Sequence, residues 1–405
     1  MKVLQIATSS DGGAGIAAGR LNSALNAIGV DSILLSGSST KKPKNPNEIA
    51  TQKGLITRNL SRAVTVLQAK FLQKHKFLMT PISLETMTVT NVLAHNPDIV
   101  HLHTFYNLFS TDTVSEICNL GIPVFITLHD ERFYTGGCHH ALNCPGFKQE
   151  CLHCPETRAI FQKIPFRAQR DLASAFSQSQ IPTVIAPSEW IASRARMSKV
   201  LKDAEVVKVN NPIGLEFVKS SESFSDFQES SGTYLITYVA QNLQNPYKGL
   251  ETLLDCISKY EEEFKAQDVK FTFVGKGDEI EIGNLKATQY TKIEASEMLG
   301  IYFQSDLLIV PSLVDNSPNV IFEALACGTP FVGSDQAGIP EISNAFGMES
   351  FKFADPDSMY TAIIKQKKKD IDARKIREAA LALVHPEVVA KKVAELYKSK
   401  LTSAS

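Results

Sequence analysis

The sequence predicts an α/β protein of two domains, each built on a doubly wound parallel sheet, and three observations carry that expectation. Short apolar, β-branched runs alternate with helical patterns, the mark of repeated βα units around parallel strands. The first set of runs is Val3–Ala7, Ser32–Leu35, Ile99–Leu102, Val124–Thr127 and Val184–Ala186, each followed by a Gly-, Ser- or His-bearing loop. The alternation then starts afresh with Tyr234–Val239, a helix from Leu250, and strands at Lys270–Gly275, Leu307–Val310 and Phe331–Ser334. Finally, 405 residues exceed the length at which one core stops growing. Between the halves, Asn210–Gly214 and the polar stretch Ser220–Gly232 carry turn residues and little apolar periodicity. The expected domains are 1–205 and 206–385, with a last helix over 386–401.

Charge and composition exclude some classes of function. A formal net charge of −1 gives no global field for nucleic acid, so no nucleic-acid partner is expected. No secretory core follows Met1 and nowhere do eighteen apolar residues run uninterrupted, so the expected location is cytoplasmic. Residues 49–84 are a local exception to the balanced charge, with Lys53, Arg58, Arg62, Lys70, Lys74 and Lys76 and no acid. At 100° per residue Leu60, Val64, Leu67, Phe71 and Leu78 share one face of a helix there. An ordinary surface helix with a solvated basic face is the first reading. The second is peripheral contact with an anionic membrane at the inner face of the cell, or with an anionic acceptor.

Two Gly- and Asn-rich segments carry the candidate chemistry. After the first strand, Gly12, Gly13 and Gly15 open a helix and let backbone amides approach a phosphate. A nicotinamide site would need an acid at the end of the second strand, where the sequence reads Leu35-Ser36-Gly37-Ser38, so a dehydrogenase is a distant alternative. In the second half, Pro311–Pro330 describes a strand end, Ser317 as a cap, Pro318 at the first helical position and Gly328 past the helix end. The free amides of Asn319 and Val320 would then point into the crevice at the carboxyl end of the sheet. Glu323 lies four residues beyond Asn319 in an apolar helix, where an acid needs a hydrogen bond or a cleft. Asp315 stands eight residues before it, and Asn245-Pro246-Tyr247-Lys248-Gly249 puts a lysine at the first strand–helix turn of this half, placed to offset a leaving diphosphate.

With these residues in view, the chain resembles the family-4 retaining glycosyltransferases of bacterial polysaccharide and cell-envelope synthesis. The resemblance covers nearly the whole chain and is specific in Pro311–Glu341, in Val100-His101-Leu102-His103, and in Leu128-His129-Asp130 followed by Thr135-Gly136-Gly137-Cys138-His139. It implies the GT-B fold, two Rossmann-like domains facing a central cleft, with the last helix packing back on the first. It also implies a nucleotide-sugar donor, UDP- or GDP-linked, and a glycan or lipid-linked saccharide acceptor. By position, Glu323 would bind the ribose, Asp315, Asn316 and the amides that follow the donor sugar, and Lys248 the diphosphate. His129 would face the transferred sugar, and the Gly12-Gly13 loop would close near the phosphates. His129, Lys248 and Asp315 are thus the expected catalytic residues, with retention at the anomeric carbon and no catalytic metal. The chain departs from the family pattern twice. Asp315 is one methylene shorter than the usual Glu, and the Arg that commonly precedes the lysine is replaced by Gln241-Asn242. Two rivals follow, a sugar-nucleotide epimerase on the same fold and a non-catalytic nucleotide-sugar-binding subunit.

The cysteines pose a separate question. Four of the seven, Cys138, Cys144, Cys151 and Cys154, form C-x5-C-x6-C-x2-C, ending in the knuckle that tetrahedral zinc favours. Structural zinc stands ahead of free core thiols, with a redox pair third.

Overall fold

The structure, a computed structural model, describes residues 1–37, 47–51, 55–73, 79–177, 180–219, 232–291, 293 and 295–404. It divides into two compact units, Met1–Pro212 with Val389–Ser405, and Ile213–Val388. The first holds a seven-stranded sheet of β1 (Lys2–Ala7), β2 (Asp31–Ser36), β3 (Glu48–Ala50), β4 (Ile99–Leu102), β5 (Val124–Thr127), β6 (Thr183–Ala186) and β7 (Val206–Lys208), in the order β3-β2-β1-β4-β5-β6-β7. The second holds β8 (Tyr234–Asn242), β9 (Val269–Lys276), β10 (Ala287–Tyr290), β11 (Leu307–Val310), β12 (Phe331–Ser334) and β13 (Ser350–Phe351), in the order β10-β9-β8-β11-β12-β13. Every neighbouring pair runs parallel. Both sheets therefore reverse their winding once, between β1 and β4 and between β8 and β11. Loops leaving the carboxyl ends of strands beside such a reversal diverge and open a crevice, which is where α/β sheets bind ligands.

Central strands are buried on both faces, which is why they read as continuous apolar runs; β4, β5, β6, β11 and β12 are buried at every position. β7 pairs with β6 through Val184 and Val206, so residues 206–212 belong to the first unit and the boundary lies beyond the 205/206 position read from turn residues. The last helix, Pro386–Ala404, passes from one unit to the other at Val389. From there Val389, Val393 and Tyr397, spaced by a helical turn, pack with Val3, Leu25, Ile99 and Phe125 in the core of the first unit. Tyr397 is fully buried, its ring centroid 4.8 Å from that of Phe125.

In the basic segment the helix spans Leu55–Leu67 and continues as one wider turn, Gln68–Leu72. Leu60, Leu67 and Phe71 are exposed rather than turned to a core. Lys53, Lys74, Lys76 and Leu78 lie outside the described residues. Among the described residues, no helix is long and apolar enough to cross a membrane.

Candidate functional site

The donor-side candidates of the second unit lie on the two loops that leave β8 and β11, the strands flanking its reversal. After β8, Asn245 caps a short turn, Pro246–Lys248, by accepting the Tyr247 N–H at 3.0 Å. The turn is locked from below, where Tyr247 O accepts the Leu313 N–H and the Tyr238 hydroxyl donates to Lys248 O. Gly249 ends it in the left-handed region, at φ 69°, with the position of a Cβ only 1.8 Å from Pro311 O. Only glycine fits that crossing of the two loops. Gly249→Ala is expected to destabilise the second unit by at least about 2 kcal/mol, through strain and a backbone clash together. Thermal unfolding of purified variant and wild type measures this, and equal melting temperatures would refute it.

This packing sets Lys248 Nζ 2.5 Å from Asp315 Oδ2, with both side chains partly exposed. Asp315 is fixed in turn by its carbonyl, which accepts the Gly338 N–H at 3.0 Å. Asn316 and Ser317 are buried next to it. The following helix is Asn319–Ala326, with Pro318 as its N-cap and no side-chain cap, so it starts one residue later than the sequence suggested and Ser317 does not cap it. Gly328 does follow its end, at φ 78°. The N–H groups of Asn319 and Val320 precede the first bond of the helix, from Ile321 N to Pro318 O. Glu323 is buried on this helix, and the Tyr302 hydroxyl donates to its Oε2 at 3.2 Å. Tyr302, which no sequence pattern singles out, comes from the helix Ala295–Gln304 and fixes the rotamer of Glu323. Asn242, at the exposed end of β8, turns its carboxamide oxygen to the Gln244 N–H. Within this unit, then, a cation, an acid, two helix-terminal amides and a second, tethered acid share the two loops.

The first unit repeats the arrangement with different chemistry. The helix after β1 is Gly12–Ala27, and its N-terminus approaches the strand so closely that a Cβ on Gly15 would sit 2.2 Å from Ser9 O. Gly13 has open space around it, whereas Gly12 takes a positive φ. After β4 and β5 come His103 and His129, joined in a chain: His129 Nε2 is 2.9 Å from His103 Nδ1, and His103 Nε2 is 2.8 Å from Gln5 Oε1. Gln5 spends its Nε2 on Asn22 and Ser32, so its oxygen can only accept. His103 therefore donates from Nε2, and burial pushes its pKa well below 6.5, so its neutral Nδ1 must accept from His129 Nε2. His129 is likewise neutral, lowered to about 4 by burial against the raising effect of Asp130. Its Nδ1 consequently carries a lone pair, an acceptor suited to a hydroxyl. His129 and His103 line a small cavity with Asn210 and Asn211. Next to this relay, His101 Nδ1 meets the Tyr397 hydroxyl at 2.6 Å and its Nε2 meets Thr127 Oγ1 at 2.7 Å. Burial, reinforced by His129, lowers His101 to about 3.

Beyond His129, Asp130 accepts from His139 Nδ1 at 2.6 Å and from the Arg132 N–H at 2.9 Å, while His139 Nε2 pairs with Thr80 Oγ1. Burial opposes its charge, but His139 beside it holds the carboxyl below the usual range. Glu131 is fully buried and held by Arg194, Tyr134 and the Ala141 N–H. These contacts pin the long loop after β5 and hence the position of His129.

The four cysteines converge at one small cavity also lined by Phe147 and Pro165. The zinc expected there finds no support: among the described residues, no group of three or more His, Cys, Asp or Glu is arranged to hold a metal ion. Cys138 is hydrogen-bonded to Cys154; that bond and burial push Cys138 well up, the same bond lowers Cys154 to about 6, and burial raises Cys151 to about 12. Cys154 also packs against Leu72 and Met79, as a core thiol does.

Two doubly wound parallel sheets of this order, each presenting polar groups at its winding reversal, define the GT-B class of glycosyltransferase fold. Residues 233–367 match the model of the family described as glycosyl transferases group 1. The chain is also similar to WcaC of Escherichia coli K12, described as a colanic acid biosynthesis glycosyl transferase, at 22% identity over 264 residues. That similarity spans 62% of this chain and 63% of WcaC, less than two thirds of the relative. Among solved structures, sucrose-phosphate synthase from Thermosynechococcus elongatus shares the fold over 100% of both chains, with a TM-score of 0.68 and 16% identity. Anabaena Alr3699/HepE, solved in complex with UDP-glucose, shares it over 98% of this chain and 100% of its own, at a TM-score of 0.61 and 14% identity.

Proposed function

We propose that the chain is a hexosyltransferase that moves a sugar from a nucleotide-sugar donor to a glycan or lipid-linked saccharide, retaining the anomeric configuration. The observation that carries it is the Lys248–Asp315 pair at 2.5 Å, set beside the amides of Asn319 and Val320 and the tethered Glu323. A nucleotide diphosphate offers what such a set takes: hydroxyls for a buried carboxylate and growing negative charge for an ammonium and helix-terminal N–H groups. In this reading Glu323 accepts from the ribose hydroxyls, while Asp315 aims the ammonium and accepts from the donor sugar. Lys248 neutralises the diphosphate as its bond to the sugar breaks. The acceptor attacks from the same face, and a donor phosphate oxygen takes its proton. His129 supplies a neutral nitrogen acceptor for a sugar hydroxyl, and the first helix turn at Gly12 and Gly13 supplies amides near phosphate.

The binding of UDP-glucose by Alr3699/HepE makes UDP-sugars the first donors to try. Calorimetric titration with UDP-, GDP-, ADP- and dTDP-sugars should find one nucleotide that binds at least about tenfold tighter than the others, the discrimination that about 1.4 kcal/mol of base contacts supplies. Binding of none of them would overturn the proposal.

A further inference from the structure

The helix Leu55–Leu67 and the turn after it are inside out for a water-soluble domain. Ser61, Gln68 and Leu72 form the buried row, and Gln73 beyond them is buried as well. Four apolar residues face outward: Leu60 is 54% exposed, Val66 62%, Leu67 52% and Phe71 48%. A surface helix of a soluble domain buries its apolar stripe, and isolated exposed leucines carry little meaning, but a run of them with polar residues inside does.

This orientation is held by specific bonds. The Gln68 side chain clasps the backbone of Ile82 twice, donating to its carbonyl and accepting its N–H, both at 2.9 Å. Gln73 donates to Met79 O at 3.0 Å, and the Arg158 N–H donates to Leu72 O at 3.1 Å. A bridge between Gln73 and Thr157 completes the join. The clasps bring two more exposed apolar residues to the same place, Ile82 at 41% and Ile160 at 82%.

The segments that build this surface are rich in cations. Residues 49–84 hold six Lys/Arg and no acid, and residues 157–170 hold Arg158, Lys163, Arg167 and Arg170, again with no acid. Arg158, Lys163 and Arg167 are exposed. Exposed Lys70, Arg158, Lys163 and Arg167 thus stand on the same elements as the outward apolar residues, in a chain whose net charge is −1. A bilayer with anionic headgroups complements both features at once: the acyl boundary takes the apolar side chains and the headgroups take the ammonium and guanidinium ions.

We propose that this face of the first unit, built on Leu60, Val66, Leu67, Phe71, Ile82 and Ile160, docks on an anionic lipid bilayer. It is independent of the donor-site reading, because no residue of the second unit takes part.

The test is flotation of full-length protein with vesicles of phosphatidylglycerol and phosphatidylethanolamine, against vesicles of phosphatidylcholine alone, at low and high salt. Two double variants at exposed positions separate the contributions, Leu67→Ser/Phe71→Ser and Arg158→Glu/Lys163→Glu. Wild type should bind the anionic vesicles at low salt, and each variant should lose at least about tenfold in affinity. Circular dichroism and nucleotide binding by the second unit should be unchanged in both variants, which separates loss of docking from loss of fold or of the donor site. Absent binding, equal binding to both lipids, or variants that bind like wild type would overturn the proposal. A lipid-free dimer that Leu67→Ser/Phe71→Ser dissolves, with no vesicle binding, would overturn it in favour of a second copy of the chain.

Discussion

Replacing Lys248 with Ala is expected to slow sugar transfer by about 10²-fold or more while raising the donor KM much less, and replacing Glu323 with Gln should do the reverse. The difference follows from when each contact matters. Charge on the diphosphate grows only as its bond to the sugar breaks, so the ammonium favours the transition state over the bound donor. Ribose hydroxyls do not change through the reaction, so a carboxylate that accepts from them contributes equally to both states. The Glu323→Gln variant keeps an oxygen for the Tyr302 hydroxyl and should weaken donor binding roughly tenfold or more, from the loss of a charge-assisted bond. One complication is built into the site. Without Lys248, the Asp315 carboxylate 2.5 Å away loses its cation and would repel the diphosphate. Comparing Lys248→Ala with Lys248→Ala/Asp315→Asn in a double-mutant cycle separates the two effects. Initial-rate kinetics and donor calorimetry on variants shown to be folded read out the result. Wild-type turnover in Lys248→Ala, together with wild-type donor affinity in Glu323→Gln, would remove the donor site from these loops.

The sequence revealed the central strands and concealed the outer ones for one physical reason. β4, β5, β6, β11 and β12 are buried on both faces and appear as apolar runs. The four strands that the apolar pattern does not mark, β3, β7, β10 and β13, are the four sheet edges, and each is short and partly exposed. The unmarked β7 carries the end of the first unit past position 205. The site shows the same division. Lys248, Asp315 and Glu323 stood out because a cation at a turn and acids in an apolar segment are chemically conspicuous. Tyr302 and Gln5, which fix Glu323 and the histidine relay, look in sequence like any other residue of a helix or strand. Only the fold brings Gln5 against His103, across 98 positions. The helix Leu55–Leu67 misled in another way, since periodicity shows that an apolar stripe exists but not which way it faces.

Acid should weaken the first unit well before carboxylates titrate, because its core holds histidines that cannot charge. His101 and His129 are lowered to about 3 and about 4, mainly by burial, and His103 is lowered too. In the unfolded chain a histidine titrates near 6.5, so between that pH and the folded values the unfolded state binds more protons. Stability from these groups is thus complete above about pH 6.5 and is lost as pH falls toward 4. From pH 7 to pH 5, His101 should remove about 2 kcal/mol and His129 less, a large share of a typical 5–15 kcal/mol. Asp130 favours the charged form of His129 and His129 is partly exposed, so the fully buried His101 should dominate. Trp190 is the only tryptophan in the chain and packs under Arg194 in the first unit, its ring centroid 5.0 Å from the guanidinium carbon. Its fluorescence therefore follows this unit alone in urea unfolding. Wild type should show a marked drop in urea midpoint between pH 7 and pH 5. His101→Asn, although less stable at pH 7 through loss of the imidazole bonds to Tyr397 and Thr127, should show a drop smaller by about one histidine's share. A midpoint independent of pH over that range, or an equal drop in the variant, would show that the relay is not held neutral by the fold.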